Sequence, residues 1–172
     1  REERDLEQVH FVIGFRGAPV GTDEYYALSV LSNLFGGGMS SRLFQEIRER
    51  RGLVYSIDTF LSAFSDEGVF GVYAGTGPDL IEEFVPALCD EISRLSSTLS
   101  EDEIARARTQ LKANLLMGME STGARAERAG QQMLLYDRVV SVGELVEKIE
   151  NVTPETLAIS ARQLLQSTPC LA

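Results

Sequence analysis

LVYSIDTFLSAFSDEGVFGVYAGT, residues 53–76, decides the fold class. Its first half, residues 53–64, is a long run rich in aromatic and β-branched side chains, Val54, Tyr55, Ile57, Thr59 and Phe60 among them. Such side chains are stiff at χ1 and pack best on a pleated surface. Ser65-Asp66-Glu67-Gly68 reads as a turn, because Ser and Asp bond their own backbone and Gly takes conformations that a Cβ forbids. Residues 69–76 are then the return strand, and the stretch is an antiparallel hairpin.

Working towards the N-terminus, residues 9–16 carry Val9, Phe11, Ile13 and Phe15 on one face and Val12 on the other. That pattern predicts a central strand covered on both sides. His10 falls on the Val12 face and reads as a structural histidine. Residues 17–21 are a loop. Thr22 or Asp23 caps a helix with the stripe Ala27, Val30, Leu31 and Leu34, which stops at Gly36-Gly37-Gly38. Ser40 or Ser41 starts a second helix with Leu43, Phe44 and Ile47 inward, and Gly52 ends it as a C′ glycine.

Beyond the hairpin the reading is helical. Ile81, Phe84, Val85, Leu88, Cys89, Ile92 and Leu95 form a stripe, and Pro86 inside it predicts a kink or a late start. Ser100-Glu101-Asp102-Glu103 is a capping box ahead of Ile104, Leu111 and Leu115. A helix follows over residues 122–136, then a second capping box at Ser141-Val142-Gly143-Glu144. Thr153-Pro154 caps the last helix, with Leu157, Ala161, Leu164 and Leu165 inward. Residues 169–172 read as the opening of a strand that is cut off. The expected fold is α+β, a mostly antiparallel sheet with helices packed on it, as a single domain over residues 1–172.

Composition narrows the function. The 172 residues carry 16 basic and 26 acidic side chains, a net charge of −10, which repels nucleic-acid phosphates and anionic membranes and leaves basic peptides as partners. No apolar run reaches the roughly 18–20 residues of a membrane span. The charged start, Arg1-Glu2-Glu3-Arg4-Asp5, is unlike a signal peptide. Two cysteines, Cys89 at a helical core position and Cys170 near the end, make neither a disulfide framework nor a metal cluster and point mildly to a reducing compartment. With one histidine and no H-E-x-x-H or H-x-x-E-H, the chain is not expected to hold catalytic zinc by itself.

Three features could carry chemistry. Gly36-Gly37-Gly38 lies between two helices without a P-loop lysine, so it reads better as a connection that admits a neighbouring backbone than as a phosphate cradle. Arg48, in the last turn of the second helix, and Tyr55, at the start of the hairpin, are folded together by the turn at Gly52. An arginine fork and a tyrosine hydroxyl can hold a backbone carbonyl or a carboxylate. On residue type alone the pair reads first as a surface ion-pair arginine and a core tyrosine. Paired carboxylates such as Glu82-Glu83 and Glu101-Asp102-Glu103 sit at helix starts, where they complement the dipole.

Residues 34–56, LFGGGMSSRLFQEIRERRGLVYS, closely resemble the C-terminal half of M16 metallopeptidases, the relatives of pitrilysin and the mitochondrial processing peptidase. Leu6-Glu7-Gln8-Val9-His10 resembles that half's opening strand, and Phe70-Gly71-Val72-Tyr73-Ala74-Gly75-Thr76 its return strand. The resemblance implies the LuxS/MPP-like metallohydrolase fold. It implies a chain excised from a two-domain protein whose N-terminal half carries zinc, with no metal ligand here. It implies that the halves close around an extended peptide as a zinc-dependent endopeptidase, this fragment alone being inactive. Arg48 and Tyr55 match an arginine and tyrosine that contact substrate backbone in the family. Gly36, Gly37 and Gly38 match a loop linked to substrate recognition. The implied partners are the N-terminal M16 domain, an extended and possibly basic peptide, and a second subunit in a homodimer or heterodimer. The implied place is the bacterial cytoplasm, or the mitochondrial matrix in a eukaryote. The alternative is a non-proteolytic assembly homologue like the bc1 complex core subunits.

Overall fold

A computed structural model describes residues 7–172. Residues 1–5, with the charged start, and Leu6 of the opening-strand motif lie outside the described residues. Four strands form one antiparallel sheet in the order β2-β3-β1-β4: β1 is Val9–Arg16, β2 Ser56–Ala63, β3 Gly68–Thr76 and β4 Cys170–Leu171. The hairpin pairs from Ser56↔Gly75 to Ala63↔Gly68, and the Phe64 N–H donates to the Glu67 carbonyl at 2.7 Å to close its tip. β1 runs along β3 from Val9↔Thr76 to Arg16↔Val69. The strand opening expected at residues 169–172 pairs with β1, where Ala172 and Val12 exchange two backbone hydrogen bonds of 2.9 Å.

The helices are α1 (Asp23–Gly36), a short wide π-helix (Phe44–Arg50), α2 (Ile81–Arg94), α3 (Glu101–Gly118), α4 (Thr122–Tyr136), α5 (Val142–Glu150) and α6 (Pro154–Gln166). Thr22 is the cap of α1, its Oγ1 accepting from the Tyr25 N–H at 3.1 Å. α1 is the centre of the helical layer, touching β2, α3, α5 and α6. Its buried set therefore widens from the expected stripe to include Leu28 and Phe35. The core lies between this layer and the inward face of the sheet, where Phe11, Phe15, Ile57, Phe70, Val72 and Ala74 are all buried. Phe11 meets Phe84 of α2 edge-to-face at 5.3 Å between ring centroids.

Four expectations change. β1 is central in the sheet, but its second face is not covered: His10 and Arg16 are exposed, and Val12 and Gly14 are half-buried. The core helices pack on the opposite face, so His10 is a surface residue, its Nδ1 2.8 Å from the Tyr73 hydroxyl. Cys89 is exposed. The buried face of α2 centres on Phe84, Ala87, Leu88, Glu91 and Ile92, and Cys89 lies about 100° further round the helix than Leu88. α2 begins at Ile81 with Pro86 inside it, so the late start does not occur. At Ser141 only half of the capping box forms: its Oγ accepts from the Glu144 N–H, but the Glu144 carboxylate is drawn away by Arg138 at 2.6 and 2.8 Å. Both halves of the box form at Ser100 and Glu103, and Thr153 and Thr156 cap α6 reciprocally.

Candidate functional site

The segment that carries Arg48 is not the α-helix that the spacing predicts. From Phe44 to Arg50 the backbone winds as a π-helix, a rare form that recurs at functional sites. Leu43 and Ile47 still anchor it, each 0% exposed. Arg48 itself is exposed, with its guanidinium carbon 4.6 Å from the centroid of the Phe44 ring. That stacking restrains a long side chain while leaving its donors open to a ligand.

Arg48 and Tyr55 are joined by a short, hydrogen-bonded turn. Gly52 has φ +66°, and its N–H donates to the Arg48 carbonyl at 3.0 Å. The Leu53 N–H donates to the Ile47 carbonyl at 3.1 Å, and the buried Thr76 hydroxyl donates to the Leu53 carbonyl at 2.6 Å. The Tyr55 N–H donates to Gly75 at 2.8 Å. The backbone at Tyr55 is thus fixed to the end of β3, yet its side chain is 57% exposed. The alternative of a core tyrosine is not what the fold builds.

Asp79, which the sequence did not single out, stands near Tyr55, and His10 lies at the same end of the sheet. A Cβ at Gly77 would lie 3.7 Å from the Tyr55 hydroxyl and 2.7 Å from Asp79 Oδ1, so glycine here lets the Asp79 carboxylate sit close to the backbone beside the Tyr55 hydroxyl. His10 pairs with Gly75 in register, which brings it to the same end of the sheet. Its Nδ1 lies 2.8 Å from the Tyr73 hydroxyl. Only strand register could have shown this, since 63 residues separate the two.

The glycine run leads into the same unit, where the Ser41 N–H donates to the Gly38 carbonyl at 2.9 Å. Its members differ. Gly36 is enclosed: a Cβ there would meet Thr59 Cγ2 at 2.6 Å and the Thr59 N at 2.7 Å. This is the close approach of a neighbouring backbone that the residues predict. Gly37 accepts from Gln110 Nε2 at 3.4 Å, and Gly38 has φ +148°. Met39 beyond them is 75% exposed.

Donor chemistry for a metal is poor. Among the described residues no group of three or more His, Cys, Asp or Glu side chains is placed to hold one. His10 faces a tyrosine hydroxyl, not a second ligand. Residues 7–172 therefore do not fit a zinc centre. The carboxylate with the most structured surroundings is Glu103. Burial pushes its pKa up, but hydrogen bonds from Arg42 (2.9 and 3.1 Å) and from the Ser100 hydroxyl and N–H (2.8 and 3.1 Å) outweigh burial and hold it below the ordinary value. It is a structural anion rather than an acid catalyst.

A family model described as "Peptidase M16 inactive domain" matches residues 1–111. Over 170 residues the chain is 39% identical to an "Uncharacterized zinc protease" of Streptomyces coelicolor, covering 98% of this chain and 37% of that protein. It is 33% identical over 171 residues to one of the same description from Bacillus subtilis, covering 99% of this chain and 42% of that one. The chain thus spans about two fifths of the length of these relatives. Its fold is similar to a chain of complex III from Candida albicans (TM-score 0.89, 23% identity, 99% of this chain and 43% of that one). It is also similar to a protease from Helicobacter pylori (TM-score 0.85, 20% identity, 98% and 42%). These two likenesses concern the fold alone. Taken with the family match over residues 1–111, the 39% identity places this chain in the M16 peptidase family, as its inactive, C-terminal-type domain.

Proposed function

We propose that this domain is the non-catalytic half of a zinc-dependent endopeptidase, forming one wall of a chamber that closes on an extended peptide. Hydrolysis would belong to an N-terminal M16 domain of the same longer protein, which is the partner this reading requires. Arg48 and Tyr55 hold the peptide: the guanidinium fork takes a main-chain carbonyl, and the tyrosine hydroxyl donates to the scissile group or accepts from a peptide N–H. Placing donors in advance of the reaction contributes orientation and favours charge as it develops. Gly37 and Gly38, with Met39, supply the recognition loop, while Gly36 serves packing. The observation that carries the reading is the exposed Tyr55 ring on a backbone tied down at both ends, with Arg48 exposed and stacked seven residues before it.

The test uses the full-length protein, the variants Arg48→Ala and Tyr55→Phe, and a basic-peptide library with and without a chelator. Expected are chelator-sensitive cleavage by the wild type and a fall in kcat/KM of about 10²-fold in each variant, the scale of losing one preorganised donor, with unaltered circular dichroism and zinc content. Unchanged kcat/KM in both variants would refute the role of the pair. No cleavage of any peptide by the wild type would favour the second reading, an assembly subunit without proteolysis, to which the likeness to a complex III chain lends support. Among the described residues no helix is long and apolar enough to cross a membrane. A cytoplasmic location belongs to the same proposal and is checked by fractionating cells that express the tagged protein.

A further inference from the structure

A cleft of about 550 Å³ opens between the π-helix, α2 and the start of α3, on a chain whose net charge is −10. Five arginines line it, Arg42, Arg50, Arg51, Arg94 and Arg106, against three glutamates. Arg42 is fully engaged with Glu103 and Thr98 and is fixed in place, its side chain 10% exposed. Arg50 pairs with Glu46, and Arg94 lies 3.7 Å from Glu91. Arg51 and Arg106 have no carboxylate within ion-pair distance among the described residues. Ser41 also lines the cleft; it is 3% exposed, and its hydroxyl has no hydrogen-bond partner. That hydroxyl is sealed from solvent, so the groups the cleft offers a ligand are its arginines.

We propose that this cleft binds a small molecule carrying more than one phosphate group. The groove is open to solvent, so a ligand is held there by charge and hydrogen bonds rather than by enclosure. The cations come from several elements, and each phosphoryl group offers three oxygens, so two guanidinium forks can engage one group at once; a carboxylate offers only two. The lining is too polar for an apolar ligand. This assignment does not depend on the peptide-wall reading, because neither Arg48 nor Tyr55 lines the cleft.

Isothermal titration of the full-length protein with inorganic tripolyphosphate, at 0.15 M salt as a representative ionic strength, tests it. The expected result is one saturable site, weakened about tenfold or more in Arg51→Gln/Arg106→Gln. Arg162→Gln, an exposed arginine outside the cleft, should leave affinity unchanged. Absence of saturable binding, equal affinity in the double variant, or an equal loss in Arg162→Gln would each overturn the site. Citrate, a trianion of carboxylates, is the second arm; binding as tight as that of tripolyphosphate would overturn the phosphate assignment. Thermal melts of each variant verify that a loss of affinity occurs in a folded protein.

Discussion

Gly36 has no space for even a methyl group. A Cβ there would press on Thr59 at 2.6–2.8 Å, including its backbone nitrogen, which cannot swing aside. Gly36→Ala is expected to destabilise the chain by about 1–3 kcal/mol, the usual range for overpacking, read as a lower urea midpoint with unchanged m. Glu103 makes a prediction in pH. Its folded pKa is depressed, so its contribution is complete above the ordinary value of 4.5 and is lost as pH falls through the lower folded value. Glu103→Gln should therefore flatten the acid limb of a Tm–pH curve below about pH 4.5, the ordinary glutamate value. An unchanged limb would mean that the Arg42 contact contributes nothing to stability.

The turn that joins Arg48 to Tyr55 and the helix α4 allow one substitution to be tried with opposite signs. Gly52 has open space around it but sits at φ +66°, where a side chain strains the backbone. Gly52→Ala should cost about 1–2 kcal/mol from conformation alone and should lower peptide cleavage by the full-length protein through displacement of the pair. Gly130, inside α4, also has nothing within 4 Å of a Cβ. Gly130→Ala should raise stability by about 0.5–1 kcal/mol, the helical cost of glycine. Denaturant melts of both variants check the contrast; the same sign in both would contradict it. The caps and C′ glycine at this scale were legible, since each depends on residues within about four positions. The π-winding of residues 44–50 was not: Leu43, Ile47 and Gly52 suit an α-helix equally well.

At the scale of the whole molecule α3 and α4 leave several apolar side chains exposed: Leu134 is 89% exposed, Met117 59% and Leu116 51%. Leu134 contributes almost nothing to the core. Leu134→Ser should shift stability by no more than about 0.5 kcal/mol and should reduce binding of a hydrophobic dye by the 172-residue chain. A large loss of Tm would show that α4 packs differently. The five arginines of the cleft are a feature of the same scale. They come from residues 42–51, 94 and 106, and the net charge of −10 conceals them.

By itself the sequence determined the elements and their class: the hairpin over residues 53–76, the caps at Ser100 and Thr153, the glycine stop at Gly52 and the M16 signature of residues 34–56. Each of these is written in side chains that act on their own backbone or on a neighbour a few residues away. Tertiary structure decided what is exposed. It left His10 on an open sheet face, turned Cys89 outward, held Tyr55 at the surface and drew Arg51 and Arg106 around one cleft. Burial depends on where distant helices settle on the sheet, and that is fixed by the packing of α1 against β2, α3 and α6, which no local pattern records.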